Sequence, residues 1–312
     1  MFSPFKCVNH TALNTSEPRI GQLLRKSNDD HLLRGASNIL KPVVLVPGVG
    51  GSSLEAKLNK NLSPHWYCVK KNNWFRIWLG LSELAVQDCW FDNMNVHYDN
   101  NTGDFSNAPG VLMRPMDFGG LNGIDYLDKA FGFPISLTNV YGDMIMFFKD
   151  LGYTSTNLIG APYDWRMPIS QLEKDGWFNQ FRLLIEDTYH NNNEQKVVLL
   201  CHSMGGLLSL HFLNSMTDEW RLKYLDSFVP IAAPWSGSPN ALRTIISGDD
   251  FGITFMSWNK LRDFSRESGG VAQLLPTNIN YEDNHVFVSN KGKDYQIAHT
   301  SDLFDSIGLF II

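Results

Sequence analysis

The residues best placed to do chemistry surround one serine, Ser203. An apolar run, Lys196–Cys201, is typical of a buried strand, and a helix-like stretch, Leu207–Met216, follows almost at once. A serine on such a sharp strand-to-helix turn exposes its hydroxyl to substrate, and the N–H of Met204 at the helix start is placed to bind an oxyanion. Cys201 stands where the usual G-x-S-x-G pattern has its first glycine. The pattern favours a nucleophilic Ser203, and a strand-turn-helix that merely contains a serine is the alternative.

A second, glycine-rich segment supplies the other half of such a site. The apolar run that ends at Val46 is followed by Pro47, Gly48, Val49 and a pair of glycines. A loop that must bring bare backbone close to a nucleophile favours glycine, and the N–H of Val49 is the expected second oxyanion donor. A plain glycine-rich turn is the alternative. The two motifs stand in the order of a serine acyl-transfer enzyme, about 150 residues apart, and together they favour that chemistry.

The composition limits the classes of protein to which this chain can belong. The chain has 312 residues, of which 43% are hydrophobic and 19% charged, and this is enough for one large α/β domain or two small ones. Its net charge of −6 argues against nucleic acid as a partner, because that requires a basic face. No stretch of about 18 apolar residues predicts a transmembrane helix, and no apolar segment near the N-terminus predicts a signal peptide. We expect residues 1–38 to form a poorly ordered extension.

Alternating strand and helix patterns predict a mostly parallel sheet with flanking helices. The predicted strands are Pro42–Val46, Lys196–Cys201 and Ser227–Ala232, and the helical patterns between them are Thr138–Leu151 and Gly176–His190. Alternation of this kind is typical of crossover helices between parallel strands. The run after Ser236 lacks strand periodicity, so we expect an inserted cap there.

Cys68 and Cys89 flank a segment rich in aromatic and basic residues. A disulfide between them would close a loop of about 20 residues, could stabilise the fold by roughly 3 kcal/mol, and requires an oxidising compartment. Trp74 and Trp78 lie close to basic residues in this segment, and tryptophan beside positive charge suits a membrane interface. An ordinary core position for the same rings is the alternative, which the sequence leaves open.

Asp164 and Arg166, within the string Ala161–Arg166, invite a catalytic interpretation. A carboxylate and a guanidinium two residues apart more often form a structural pair, since their geometry suits paired hydrogen bonds. We therefore predict a structural role for both.

Together, the motifs resemble the lecithin–cholesterol acyltransferase family, including its lysosomal (group XV) phospholipase A2 branch. The matching stretches keep the family's order from residue 41 to about 295 and are Pro42–Gly48, Leu54–Leu58, Ile77–Leu79, Asp88–Trp90, Asp92–Asn93, Asn107–Gly110, Ala161–Arg166, His202–Gly205, Ala233–Trp235 and Ser247–Asp249. The Ala-Pro-Tyr-Asp-Trp-Arg string is specific to this group rather than to hydrolases at large.

The resemblance implies an α/β-hydrolase domain over residues 39–312, with a disulfide-closed membrane-binding insertion at about 60–92 and a cap or lid region at about 236–312. The implied site has Ser203 as nucleophile, the N–H groups of Val49 and Met204 as the oxyanion hole, a disulfide between Cys68 and Cys89, and a lid at roughly Asp249–Leu275. We expect Trp74 and Trp78 to be the membrane anchors of the insertion.

The resemblance also implies a reaction. A fatty acyl group leaves a glycerophospholipid through an acyl-serine intermediate and passes to an alcohol, such as a sterol or another lipid hydroxyl, or to water. No cofactor or metal is implied. The implied partners are a phospholipid substrate and a lipid membrane or lipoprotein surface, and the implied location is secreted or lysosomal.

Two departures from the family pattern bear on activity. Val49 stands where the lysosomal branch carries an acid, so an acidic pH optimum is not implied. The family's triad Asp and His lie further downstream than this chain reaches, and His202, His211, His285 and His299 have no positional match to the base. We therefore expect a C-terminally truncated enzyme that lacks the last sheet strands and turns over poorly by itself. A catalytically inactive lipid-binding paralogue and a different α/β-hydrolase lipase are the alternatives.

Overall fold

The structure, a computed structural model, describes residues 40–80, 83–128, 138–249, 256–279, 281–282, 284–290 and 292–308. The chain divides into the units Met1–Leu40 and Lys41–Ile312, and every element described below belongs to the second. The extension expected over residues 1–38 lies outside the described residues.

The described elements are eleven strands, ten α-helices and two short 3-10 helices. The strands are β1 (Val43–Val46), β2 (Leu54–Asn59), β3 (Lys71–Trp78), β4 (Val96–Asp99), β5 (Asp104–Asn107), β6 (Val111–Pro115), β7 (Leu158–Gly160), β8 (Val197–His202), β9 (Leu225–Ile231), β10 (Val286–Asn290) and β11 (Lys293–Gln296). The α-helices are α1 (Gln87–Met94), α2 (Gly142–Asp150), α3 (Ile169–Lys174), α4 (Trp177–Asn191), α5 (Met204–Ser215), α6 (Asp218–Tyr224), α7 (Pro239–Ser247), α8 (Trp258–Glu267), α9 (Gly269–Ala272) and α10 (Thr300–Ser306). Short 3-10 helices lie at Glu83–Val86 and Ile297–His299.

Four parallel strands form the central sheet in the order β7-β1-β8-β9. The residues of β1 are all Val or Leu and all buried, as expected of a strand covered on both faces. The three predicted strands are confirmed, with ends that differ by one or two residues. With only three residues, β7 is too short for a strand pattern to be recognised in the sequence.

Helix α4 confirms the helical pattern predicted over Gly176–His190, since it begins and ends within one residue of it. Its apolar stripe faces the core through Trp177, Phe178, Phe181 and Ile185. Helix α2 begins four residues later than the predicted Thr138, because Asn139 pairs with Tyr126 in an isolated bridge instead of entering the helix.

A second, antiparallel sheet has the order β3-β2-β6. Strand β2 shows the two-residue period of a half-buried strand, with Leu54, Ala56 and Leu58 facing the core. Strand β3 belongs to the segment of residues 60–92, which we call the disulfide lobe because Cys68 and Cys89 are bonded, with an S–S distance of 2.07 Å. The sheet therefore attaches this lobe to the rest of the fold.

The region after Ser236 contains α7, α8 and α9, followed by the β10–β11 hairpin and α10. Strands β10 and β11 pair antiparallel although neither has a long alternating pattern. Among the described residues, no helix is long and apolar enough to cross a membrane.

Candidate active site

Ser203 lies in a strained turn between β8 and α5. Its φ of 51° and ψ of −125° place a non-glycine residue in a left-handed conformation that costs free energy. The backbone holds this conformation from both sides, because the Ser203 N–H donates to the Ile231 carbonyl at 2.9 Å and the Gly206 N–H donates to the Ser203 carbonyl at 2.9 Å. The turn is the one that the sequence predicts for a nucleophile on a strand-to-helix elbow.

Small residues allow this turn to form. A β-carbon on Gly205 would lie 2.4 Å from the Pro47 carbonyl oxygen, and one on Gly206 would lie 2.6 Å from the β-carbon of Ala233. Cys201 takes the place of the usual first glycine because its side chain points into the core, where its thiol contacts the Ser209 hydroxyl at 3.0 Å. Burial raises the pKa of the Cys201 thiol to about 12, so the thiol stays protonated and is not a second nucleophile.

The loop after β1 closes on the serine. A β-carbon on Gly48 would lie 2.9 Å from the β-carbon of Ser203, so only glycine permits this approach. Val49 is half-buried and Met204 is fully buried, and these are the two residues whose N–H groups we expect to bind an oxyanion. The loop and the serine therefore have the close approach that an oxyanion hole requires.

Two buried tyrosines donate hydrogen bonds that hold the loop after β1 in place. The Tyr141 hydroxyl donates to the Val46 carbonyl at 3.0 Å, and the Tyr163 hydroxyl donates to the Pro47 carbonyl at 2.9 Å. Burial raises the pKa of both hydroxyls, so both remain donors at all physiological pH values. Sequence reasoning misses their role. Tyr163 lies in the Ala161–Arg166 string, and this motif could have pointed to it. Tyr141 lies in no motif that the sequence analysis recognises.

A cavity of about 320 Å³ opens beside the loop. Its walls are Gly48–Gly51, Trp78, Trp90, Trp165, Leu261 and Phe264, with further apolar residues and the polar side chains of Asn139, His202 and Ser265. Partial desolvation lowers the pKa of His202, which favours the neutral imidazole at this wall. The cavity is largely apolar and is lined by His202 and by Gly48, the two residues that adjoin Ser203, so it is suited to an acyl chain whose ester lies near the serine.

The structure corrects the expectation that Trp78 anchors a membrane. Trp78 is only 7% exposed, donates its indole N–H to the Gly50 carbonyl at 2.6 Å, and packs edge-on against Trp165 with centroids 4.8 Å apart. The Trp78 ring forms part of the cavity wall, because pairing of β3 with β2 turns it inward. Trp74 is partly buried, with the Arg114 guanidinium 4.1 Å above its ring, and its lipid contact stays a prediction.

Val86, after β3, is one of the exposed apolar residues of the disulfide lobe. Four others lie before β3: they are Leu62, Trp66, Tyr67 and Val69, and Trp66 is 92% exposed. Lys70 and Lys71 follow them and are also exposed. We call these six residues the lobe patch. At the base of the lobe, the buried Lys60 ammonium donates to the Asp92 carboxylate and to the Asn93 side chain, which fixes one end of the segment.

The Asp164–Arg166 pair has the structural role predicted for it. The fully buried Arg166 donates from Nε to Asp164 Oδ1 at 2.9 Å and from Nη2 to Asp164 Oδ2 at 2.6 Å. It also donates to the Met94 carbonyl at 2.9 Å and to Asn107 Oδ1 at 2.6 Å. The bonds to Asp164 fix the shape of the loop and those to Met94 and Asn107 tie it to neighbouring segments, so the pair positions Trp165 at the cavity.

No described residue hydrogen-bonds to the Ser203 hydroxyl, so the general base of the site is not among the contacts of the described ranges. His211, on α5, lies 3.5 Å from the Glu173 carboxylate, and His285 packs against Tyr281 and Phe287. The described residues also hold no cluster of side chains suited to a metal ion.

Helices α8 and α9 lie within the segment Asp249–Leu275, for which a role as a lid stays a prediction. Residues 250–255 lie outside the described residues. Leu261, Phe264 and Ser265 of α8 and Val271 of α9 cover the cavity. Ser268, between the two helices, donates to the Arg166 carbonyl at 3.0 Å, which joins this cover to the Arg166 loop.

The parallel, helix-flanked sheet and the strained serine after β8 define a protein of the α/β-hydrolase class. A family model for lecithin:cholesterol acyltransferase matches residues 74–308, and the chain belongs to this family. It is 34% identical over 277 residues to a phosphatidylcholine-sterol acyltransferase of Gallus gallus, covering 88% of this chain and 65% of the relative.

Two further relatives show the same level of similarity. A phosphatidylcholine-sterol acyltransferase of Rattus norvegicus is 36% identical over 264 residues, covering 83% of this chain and 58% of the relative. A protein of Homo sapiens named lysosomal phospholipase A and acyltransferase is 35% identical over 271 residues, covering 86% of this chain and 64% of the relative. The chain thus spans less than two thirds of the length of these relatives.

Proposed function

We propose that this chain carries the nucleophile, oxyanion hole and acyl-chain cavity of a lipid acyltransferase or phospholipase A. The observation that supports this most is the contact between the Gly48 loop and the strained Ser203, beside a largely apolar cavity of about 320 Å³. The names of the relatives, acyltransferases and a phospholipase A, agree with this chemistry.

In the proposed reaction, Ser203 Oγ attacks the carbonyl carbon of a glycerophospholipid ester while its proton passes to a general base. The carbonyl oxygen becomes an oxyanion, which the N–H groups of Val49 and Met204 stabilise. Collapse of this intermediate breaks the bond to the glycerol oxygen, which takes the proton and leaves as a lysolipid. The acyl-serine then transfers its acyl group to an alcohol, such as a sterol or another lipid hydroxyl, or to water.

The lobe patch is the proposed contact with a lipid membrane or lipoprotein surface. Tryptophan and tyrosine suit the boundary between apolar and wet layers, and adjacent lysines favour anionic headgroups. The Cys68–Cys89 disulfide fits an oxidising compartment. This agrees with the secreted or lysosomal location that we propose, and one relative is named a lysosomal phospholipase A and acyltransferase. No part of the proposed reaction requires a cofactor.

Activity-based labelling and lipid analysis together test the proposal. The protein is exposed to a fluorophosphonate probe and to phosphatidylcholine vesicles, and released fatty acid, lysolipid and acylated alcohol are measured. Ser203→Ala should abolish labelling and release. Ser215→Ala is a matched control, since Ser215 lies at the far end of α5 and its hydroxyl donates to the Phe212 carbonyl. Full release by Ser203→Ala would disprove the assignment.

A lipid-binding protein without turnover is the second candidate, because no described residue hydrogen-bonds to the Ser203 hydroxyl. An isolated serine hydroxyl is a poor nucleophile without a positioned base. On this alternative the protein should bind vesicles but release no fatty acid from them.

A further inference from the structure

Gln273, directly after α9, connects the serine turn to the start of α3. Its side-chain Nε2 donates to Met204 Sδ at 3.2 Å, and its Oε1 accepts from the Ile169 N–H at 3.0 Å. The Ile169 N–H needs such an acceptor, because the first N–H groups of a helix have no carbonyl partner within it. This bond also fixes which end of the amide faces the sulfur, since only the oxygen end accepts from an N–H.

The backbone around this glutamine is held on both sides. A β-carbon on Gly270 would lie 2.0 Å from the Trp165 carbonyl oxygen, so only glycine allows α9 to come this close to the Arg166 loop. The Gly270 N–H donates to the Arg166 carbonyl at 2.8 Å. After the glutamine, the Leu274 carbonyl accepts from the Ser238 N–H at 2.7 Å. The side-chain amide is therefore carried by a segment that is tied to two loops.

Met204, at the other end of this contact, is the residue whose N–H we propose as an oxyanion donor. Its side chain is fully buried, and methionine is flexible enough to fill a site without itself fixing one conformation. The bond from the Ser203 N–H to the Ile231 carbonyl holds the turn on the strand side. The contact from Gln273 holds the first residue of α5 on the helix side. An oxyanion donor must lie about 2.7–3.1 Å from its oxygen, so a small displacement of this residue matters.

We propose that Gln273 is a positioning residue, which sets the place of the Met204 N–H in the oxyanion hole through its contact with the sulfur. It acts through Met204 and not on the substrate. A thioether sulfur is a weak acceptor, so the contact adds little to stability and its loss should appear in the rate of reaction at Ser203. The proposal rests on the proposed function, since it takes the Met204 N–H as an oxyanion donor.

Labelling kinetics with a fluorophosphonate probe test this role. The full chain is labelled over a range of probe concentrations, which separates the affinity for the probe from the rate constant of covalent bond formation. Gln273→Glu keeps an oxygen for the Ile169 N–H and replaces the N–H donor to the sulfur by an acceptor. It should lower the rate constant about five- to twentyfold, less than the loss of about 10²–10³ on removal of a whole donor. The affinity for the probe should change less than about twofold, because the cavity is unaltered.

A double variant tests whether the sulfur carries the effect. Met204→Leu keeps the backbone N–H and a similar apolar volume but removes the sulfur. In the Met204→Leu background, Gln273→Glu should change the rate constant less than about twofold, since the contact is already lost. Gln180→Glu is the matched control, because Gln180 is exposed on α4, and it should label as the wild type does.

Thermal unfolding of each variant separates positioning from a general loss of stability. Gln273→Leu leaves the Ile169 N–H without its acceptor and should lower the melting temperature, whereas Gln273→Glu should stay close to the wild type. A wild-type rate constant for Gln273→Glu, a loss that only follows the unfolded fraction, or an equal slowing in the Met204→Leu background would overturn the positioning role alone. Absence of labelling in the wild type would overturn the proposed function, and the positioning role with it.

Discussion

The β-carbon that Gly48 lacks would lie 2.9 Å from the β-carbon of Ser203 and 3.3 Å from the His202 carbonyl oxygen. The Gly48→Ala substitution should therefore push the loop away from the serine. We expect a loss of stability of about 1–3 kcal/mol and a much larger loss of fluorophosphonate labelling, because the oxyanion donors move with the loop. Thermal unfolding and labelling rates measure the two effects.

Val49→Ala is the matched control for this loop. Only the backbone N–H of Val49 has a proposed role, and alanine keeps it. This variant should keep its labelling rate within about twofold. If Gly48→Ala labelled as fast as Val49→Ala, the assignment of the loop to an oxyanion hole would be wrong.

Trp66, rather than Trp78, should control vesicle binding. Trp66→Ser should lower binding of phosphatidylserine-containing vesicles without changing the melting temperature, because the ring is 92% exposed. Trp78→Phe should lower the melting temperature and leave vesicle binding unchanged. It removes the hydrogen bond from the buried indole to the Gly50 carbonyl and leaves the lobe patch intact. Flotation and thermal unfolding of both variants provide the comparison, and equal binding by Trp66→Ser and the wild type would refute the patch.

Lysine should not be able to replace Arg166. Arg166→Lys keeps the charge but loses the paired bonds to Asp164 and the bonds to the Met94 carbonyl and Asn107. We expect a destabilisation of about 2–4 kcal/mol in urea unfolding. Arg182→Lys, at a partly exposed i,i+4 pair with Glu186 on α4, should change stability by less than about 0.5 kcal/mol, and a similar effect at both sites would contradict the structural role.

Glu267, at the end of α8, should make stability depend on pH. Desolvation raises its pKa above the usual 4.5, while the charge of nearby His97 acts in the opposite direction. The folded state then binds a proton more readily than the unfolded state, so the ionised carboxylate costs stability at neutral pH. Glu267→Gln should raise the melting temperature at neutral pH, and the gain should shrink as the pH falls through the raised pKa towards 4.5.

The exposed Glu282 supplies the control for this pH effect. Glu282→Gln should leave the pH dependence of the melting temperature unchanged. A gain for Glu267→Gln that persisted undiminished under acidic conditions would show that burial of the charge is not its cause.

The sequence predicts Ser203 and the strand before it because short-range patterns determine them. An apolar run, a glycine pair and an apolar helix are all adjacent in the chain. The position of Trp78 is not predictable in this way, because it depends on pairing of β3 with β2 and on a hydrogen bond to Gly50, 28 residues earlier. The hydrogen bond from Tyr141 to Val46 spans 95 residues, so local sequence patterns cannot predict it either.

The strand order of the central sheet has a consequence for how the chain is made. Strand β1 pairs with β8, which is synthesised roughly 150 residues later. A ribosome that adds about 5–20 residues per second needs roughly 8–30 s to produce that partner. During this time Val43, Val44, Leu45 and Val46 are outside the tunnel without the neighbour that later buries them. The yield of folded protein therefore depends on what shields these four residues from other nascent chains during those seconds.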